Sequence, residues 1–295
     1  MRRCIMKIKT PRTFLVFIVV VSFFCIKAFA KDRNPEVHFI DTGQSDCILI
    51  KTGKENYLID TGWEYYSGKV LSYLNSNNVD KIDGVILTHY HDDHYGGLEM
   101  LLKTSKVRKI FLPKHDSDDK KKVISTIKKH KVNYAWIEDG WEVKGRKLNL
   151  KAIVPINVDS KNENNNSIVL FGKIDGVKYL FLGDCEKREE MDMISNKKIK
   201  ECDVLKVSHH GFKTSNSDEL LDIAKPKIAI VTCDGIYSPD RIIIDRLKNK
   251  GIEVFTTSNK GNLIIREQEI IWNRYSYYIN KGKNFMGNTY LKFIS

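Results

Sequence analysis

No Cys-x-x-Cys pair and no regular cysteine framework occur in the 295 residues; of six cysteines, Cys4 and Cys25 fall early, leaving Cys47, Cys185, Cys202 and Cys233. A disulfide scaffold is therefore not the basis of the fold, since a chain this long buries an adequate core without one. No stretch rich in proline, glycine or serine divides the sequence, which argues for one main domain. Beyond residue 30 no apolar run approaches the ~20 residues of a membrane helix, so a multi-span membrane channel is not expected within this sequence. Histidine is scarce too, with eight in the whole chain, and its distribution is what carries information.

Residues 1–30 are set apart by composition. Arg2, Arg3, Lys7, Lys9 and Arg12 precede an apolar segment, 14–26, and Ala28-Phe29-Ala30 follows. This is the pattern of a cleavable signal peptide, too short in its apolar part for a spanning helix, and it implies secretion, with retention by an uncleaved leader as the alternative. The formal net charge of +12 shrinks accordingly. Without the six Lys and Arg of the leader, 43 basic face 37 acidic residues. That surplus is spread over lysine-rich helices such as Lys120-Lys121-Lys122 and permits a polyanionic partner without requiring one.

What is present is a concentration of metal-binding side chains. His89-Tyr90-His91-Asp92-Asp93-His94 places four potential ligands in six residues, behind the apolar run Val85-Ile86-Leu87-Thr88 and ahead of Gly96-Gly97. Imidazole and carboxylate suit a borderline metal such as zinc, and H-x-H-x-D-H in a turn after a strand can feed two ions. Ser208-His209-His210-Gly211 follows the apolar strand Val204-Leu205-Lys206-Val207, and Asp184 closes Tyr179-Leu180-Phe181-Leu182-Gly183. All three lie just past the carboxyl end of an expected strand, where open α/β sheets gather ligands.

Periodicity and turn signals organise the rest. Short β runs at 37–41, 47–51 and 57–60 read as a meander. Helical patterns are expected at 63–77, 98–103 and 118–131. In the second half, strands are expected near 148–154, 168–173, 178–182, 204–207, 228–232 and 253–256, with helices at 186–195, 218–224 and 239–250 between them. Two β-rich halves with outer helices predict an α/β (α+β) four-layer αβ/βα sandwich, its metal-bearing edges on one rim. The expected domain spans 35–270, with a tail at 271–295 of unknown role. The tail aromatics Trp272, Tyr275, Tyr277, Tyr278, Phe285 and Tyr290 suit a small added hairpin.

These motifs resemble the metallo-β-lactamase superfamily. Val37-His38-Phe39-Ile40-Asp41-Thr42-Gly43-Gln44-Ser45-Asp46, Leu58-Ile59-Asp60-Thr61-Gly62, Asn164-Asn165-Asn166-Ser167 and Lys206-Val207-Ser208-His209-His210-Gly211 narrow the likeness to one branch. That branch is the C-terminal hydrolase domain of ComEC-type DNA-uptake competence proteins. Secreted phosphorylcholine esterases share the motif order. The resemblance implies that His89 and His91 serve one ion, Asp93 and His94 the second, with Asp184 bridging and one of His209 and His210 completing the second set. It implies two divalent ions, zinc or manganese, with Asp93, Asp184, His209 and His210 as catalytic groups and Asp60, Thr88 and Asp92 as supporting partners. Asn166, Lys213 and Thr214 are the candidates for further support or substrate contact.

Two departures stand out. A third histidine for the first ion is usual in the superfamily, but between the H-x-H-x-D-H run and Asp184 only His115 and His130 occur, in lysine-rich segments expected to be solvated. The asparagine run occupies that region instead, which raises manganese beside zinc. Tyr237-Ser238-Pro239 also lacks the histidine that the ComEC-type branch tends to carry before the proline. Water activated between two ions suits in-line attack at phosphorus, so the expected activity is a phosphodiesterase or nuclease with DNA as the favoured polyanionic substrate. A phosphorylcholine ester, another cell-wall phosphoester, a lactone or a lactam is the alternative substrate class.

Overall fold

The computed structural model describes residues 34–145 and 147–272, and the backbone of 275–278. The leader expected at 1–30 lies outside the described residues. The first eight strands are β1 (Glu36–Phe39), β2 (Ile48–Lys51), β3 (Asn56–Ile59), β4 (Lys81–Ile82), β5 (Gly84–Ile86), β6 (Lys106–Val107), β7 (Lys109–Pro113) and β8 (Asn133–Ile137). They are followed by β9 (Glu142–Gly145), β10 (Leu148–Ile153), β11 (Val169–Ile174), β12 (Val177–Phe181), β13 (Val204–Lys206), β14 (Ile228–Val231) and β15 (Glu253–Thr256). The last described strands are β16 (Leu263–Arg266), β17 (Glu269–Trp272) and β18 (Tyr275–Tyr278).

Among the described residues these form one sheet in the order β18-β17-β16-β1-β2-β3-β5-β7-β8, a second in the order β15-β14-β13-β12-β11-β10-β9, and a small pair β4-β6. Strand parity explains how two sheets make four layers. Val37, Phe39, Ile48, Ile50, Tyr57 and Ile59 point into a core shared with Leu150, Leu170, Tyr179, Phe181 and Ile230 of the second sheet. Their neighbours Cys47, Leu49 and Leu58 point the other way, onto Val70, Leu74, Leu101, Val123 and Ile127 of the helices Ser67–Ser76, Leu98–Thr104 and Asp118–Lys129. Alternation of side chains along a strand does this sorting. A third core packs Leu180, Leu205, Ala229 and Val231 against Met193, Leu220, Leu221, Ile243 and Leu247 of the helices Lys187–Ser195, Asp218–Ala224 and Arg241–Asn249. Each fully buried aliphatic side chain contributes roughly 1.5–3 kcal/mol of transfer free energy.

The expected four-layer sandwich is thus present. Strands β4, β6, β7, β8, β9 and β16 were not singled out by pattern. Two are two-residue pairs, and β7 to β9 sit among lysines, where alternation is diluted. The chain also returns: after β15 it crosses back so that β16 pairs antiparallel with β1, Val37 opposite Ile265. The sheet continues through β17 to β18, past residue 270.

Direction matters for function. Strands β3, β5, β7 and β8 run parallel in the first sheet, and β12 to β15 run parallel in the second. The carboxyl ends of both parallel blocks open on the same rim, where Ile168 N–H donates to the Thr88 carbonyl at 2.8 Å and ties the edges together.

Candidate metal centre

Strand β5 ends at Ile86, and the chain continues through Thr88 and His89 into a one-turn helix, Asp92–Tyr95. This turn presses against the loop after β3: Thr61 N–H donates to the His94 carbonyl at 2.7 Å, and Gly97 N–H to that of Gly62 at 2.8 Å. A Cβ on Gly97 would run into the Thr61 carbonyl, so glycine is required by close approach. After β13, His209, His210 and Gly211 adopt three successive positive φ angles, 48°, 53° and 86°. Non-glycine residues rarely do so, at a cost of about 1–3 kcal/mol each, and here the turn brings both rings to the rim.

Asp93, His94, Asp184 and His210 converge, with one ligand atom of each within 4.8 Å of the others. Asp184 Oδ2 lies 3.2 Å from His94 Nε2 and 3.4 Å from His210 Nε2; Asp93 Oδ2 lies 3.2 Å from His210 Nε2 and 3.6 Å from His94 Nε2. The far ring nitrogens are committed elsewhere. His94 Nδ1 donates to Asp60 Oδ2 at 2.7 Å, and His210 Nδ1 to the Thr232 carbonyl at 2.9 Å. Asp60 in turn accepts Thr88 N–H and the Thr88 hydroxyl, each at 2.8 Å. A carboxylate or carbonyl behind the ring is how metal-binding histidines are oriented, with Nε2 left as the ligand atom.

His89 and His91 stand beside this group. Their Nε2 and Nδ1 atoms are 3.1 Å apart, and the His89 ring centroid is 4.1 Å from that of His94. Burial, with His94 adjacent, pushes the pKa of His89 well below the ordinary imidazole value, so the ring is neutral. For His94 burial opposes protonation, but Asp184, Asp93 and Asp60 outweigh it and raise the pKa well above normal. The same balance, led by Asp184 among the opposing groups, lifts His210 to about 9. Asp184 is held well below the usual carboxylate range by His94 and His210 despite its burial. These side chains fit a divalent cation: His94 Nε2 is buried without a hydrogen-bond partner, a costly state that a metal ion would relieve, and the donors are imidazole nitrogen and carboxylate oxygen.

The remaining expected residues divide. Thr88 and Asp60 brace His94, as above. His209 does not join the four converging groups: its Nδ1 lies 3.1 Å from Thr214 Oγ1 and 3.2 Å from Glu186 Oε1, and its Nε2 faces Asn164 Nδ2 at 3.3 Å. Asp92 is exposed and lines a separate hollow with Trp63, Tyr65 and Glu99. Asn166 is spent on its own loop, its Oδ1 accepting Asp159 N–H at 2.7 Å and its Nδ2 donating to the Asp159 carbonyl at 2.9 Å. Lys213 is exposed at the turn after His210, with its backbone N–H on Asp240.

His115, expected in solvent, is a correction: its side chain is 4% exposed because Glu163 accepts from its Nε2 at 2.8 Å. Glu163 also accepts Tyr90 N–H at 2.9 Å, so the asparagine turn, Glu163–Asn166, braces the histidine loop from outside. Three residues stand outside the expected site set. Asp46 lies in a motif that carries the family resemblance but has no expected role, and Thr232 carries no local signal of a site. Lys206 does, as a charge in the middle of an apolar run destined for a central strand; it is fully buried and paired with Asp46. Burial depresses its pKa, yet Asp46 and Asp184 more than offset that, so it stays an ammonium.

Comparison with known proteins gives the family and the fold. A family model described as the metallo-beta-lactamase superfamily matches residues 40–235. "ComE operon protein 3" of Bacillus subtilis is 28% identical over 254 residues, covering 78% of this chain and 33% of that protein. "Recombination protein 2" of Haemophilus influenzae is 27% identical over 259 residues, covering 84% and 31%. The chain therefore spans about a third of the length of the curated relatives it matches. Among solved structures, the metallo-beta-lactamase fold protein YhfI of Bacillus subtilis superposes with a TM-score of 0.56 at 16% identity, over 78% of this chain and 100% of that one. The likeness to competence proteins drawn from the motifs is borne out.

Proposed function

Because the chain belongs to the metallo-beta-lactamase superfamily of metal-dependent hydrolases, we propose that it is a phosphodiesterase, and specifically a nuclease acting on DNA. The observation that carries this reading is the donor set: Asp93, His94, Asp184 and His210 in one group with His89 and His91 alongside, enough for two divalent ions, zinc or manganese. When bound, such ions supply the acidity that makes water a nucleophile near neutral pH and the positive charge that steadies an in-line displacement at phosphorus. DNA is supported by the relatives, one of which is named for recombination.

The protein side chains have separable tasks. Asp184 presents Oδ2 between two imidazoles, where an ionised oxygen orients an attacking water. His209 sits at the rim with a pKa lowered by burial. With its Nδ1–H directed to Glu186, Nε2 carries the lone pair that now faces the Asn164 amide; in the reaction it would take up the proton released by the attacking water and pass that proton to the leaving oxygen. Export guided by residues 1–30 would place the reaction outside the cytoplasmic membrane; N-terminal sequencing of secreted material would test it.

A specific observation favours a second reading. The hollow of about 800 Å³ that opens on Tyr90 and His91 is lined by Asp116, Asp118, Asp119, Asp159 and Glu163 against Lys120, Lys121 and Lys161. Such a wall suits a cationic group better than a phosphate chain, as in a phosphorylcholine ester. The test is to strip metal from the protein, then assay single- and double-stranded DNA, RNA and p-nitrophenyl-phosphorylcholine with zinc or manganese restored, beside His91→Ala and Asp93→Ala. Metal-dependent DNA cleavage lost in Asp93→Ala supports the nuclease. Turnover of the choline ester alone replaces it with the second reading, and inactivity on all four overturns both.

A further inference from the structure

A lysine ammonium enters a protein interior only when paired, and a buried ion pair is seldom the most stable filling for its space; well-packed apolar residues often do as well or better. Lys206 and Asp46 are such a pair, 0% and 2% exposed at their side chains. Stability alone does not account for them, and their further contacts all lead to the metal centre. Lys206 Nζ donates to the Gly183 carbonyl at 3.2 Å and lies 3.7 Å from Asp184 Oδ1. Asp46 Oδ1 accepts the Thr232 hydroxyl at 2.5 Å, and the Thr232 carbonyl receives His210 Nδ1–H. The Asp46 N–H donates to the Asp93 carbonyl at 3.3 Å. One pair thus reaches Asp184 by charge, His210 through Thr232, and the Asp93 backbone directly.

We propose that Lys206 and Asp46 are positioning residues for the two-ion centre. Lys206 draws Asp184 Oδ1 away so that Oδ2 alone faces His94 and His210, while Asp46 and Thr232 hold the His210 ring with Nε2 inward. As an ammonium, Lys206 has no lone pair and is not itself a ligand. It instead balances carboxylate charge that would otherwise spread Asp184 and Asp93 apart. The inference rests on the two-ion reading, and it identifies which groups make a single oxygen of Asp184 available to both ions.

The test is manganese titration of the full chain by calorimetry, with the electron paramagnetic resonance spectrum of the loaded protein as second readout. Wild-type protein should take up two ions with an exchange-coupled spectrum; failure of that step removes the two-ion reading before any variant is made. Lys206→Met should weaken one ion by roughly 10–100-fold and diminish the coupling, and it also strands Asp46. Lys206→Met with Asp46→Asn removes both charges, so thermal stability should recover while affinity and coupling do not. Recovery of all three would show a merely structural pair and overturn the proposal. Thr232→Val keeps both charges and the residue's shape, and it should cost several-fold in affinity; wild-type affinity and spectrum in that variant would likewise overturn it.

Discussion

Asp93, His94, Asp184 and His210 reach the centre from three turns on two sheets, and the two histidines among them have a buried acceptor behind the ring. His89 and His91 come from one turn, and their closest polar neighbours include each other. The first group is over-determined: moving any member disturbs Asp60, Thr232, Lys206 or, for Asp93, the Asp46 backbone. The second is held by local chain geometry, by the Glu163 brace on Tyr90 N–H, and by neutral hydroxyls rather than a carboxylate or carbonyl behind His89 Nδ1, Thr88 at 3.1 Å and Ser167 at 3.5 Å. The contrast predicts unequal sides, one binding its ion tightly and the other depending on its partner for company.

That contrast can be broken most directly at Asp184. Asp184→Ala is expected to cut hydrolysis by on the order of 10²–10³-fold, the scale of a lost electrostatic stabiliser, and to lower uptake of both ions in metal analysis. A loss confined to one ion would make the sides independent. His91→Ala sharpens the comparison from the other direction, since it should weaken one ion by roughly 10–100-fold and leave the other in place, read by the same analysis. Asp60→Asn, which keeps the shape but weakens the acceptor behind His94, should fall within the same 10–100-fold range and act on the tighter ion.

Metal removal compares the centre with the scaffold. An ion present at about 100 times its dissociation constant stabilises by about 2.7 kcal/mol, so chelation should lower the melting temperature by roughly 5–10 °C. An unchanged melting curve would place ion binding outside the folded core. The smallest effect belongs to a polar pair remote from the centre. Glu36 accepts from His38 Nε2, whose Nδ1 accepts the Tyr73 hydroxyl at 2.8 Å. This contact with His38 lowers the pKa of Glu36 from 4.5 to about 2. A depressed carboxylate stabilises the folded state above its unfolded value, and that contribution is lost as pH falls from about 4.5 through 2. Glu36→Gln should therefore flatten stability across that window by about 1 kcal/mol or less, given its partial exposure, without altering metal uptake.

Much of the fold was legible because its periodicity was clean. The helix Asp218–Ala224 and the strand Glu253–Thr256 lie where the pattern put them, since apolar spacing and turn residues agree there. β16 was not legible, because its pairing partner β1 lies more than 220 residues away and no local signal reports a return to the first sheet. At the site, the H-x-H-x-D-H turn announced itself through ligand density. Of the two roles open to Asn166, the structure shows support: its amide is shared between Asp159 and Glu163, the residue that braces the histidine loop. His115 misled, since its lysine neighbours hid a burial that depends on Glu163, 48 residues on.

The sequence by itself determined the ligand types, the strands that deliver them and the family, because residue chemistry and period are local properties. It left His209 and His210 equivalent, and it gave Lys206 no partner. Only the tertiary structure decided those points. Three successive left-handed residues aim one ring at Asp93 and Asp184 and the other at Glu186. Packing of two sheets brings Asp46 against Lys206 across 160 residues of chain. Which nitrogen faces a metal and which carboxylate faces a lysine are set by distances between separate strands, and those distances exist only once both sheets share a core.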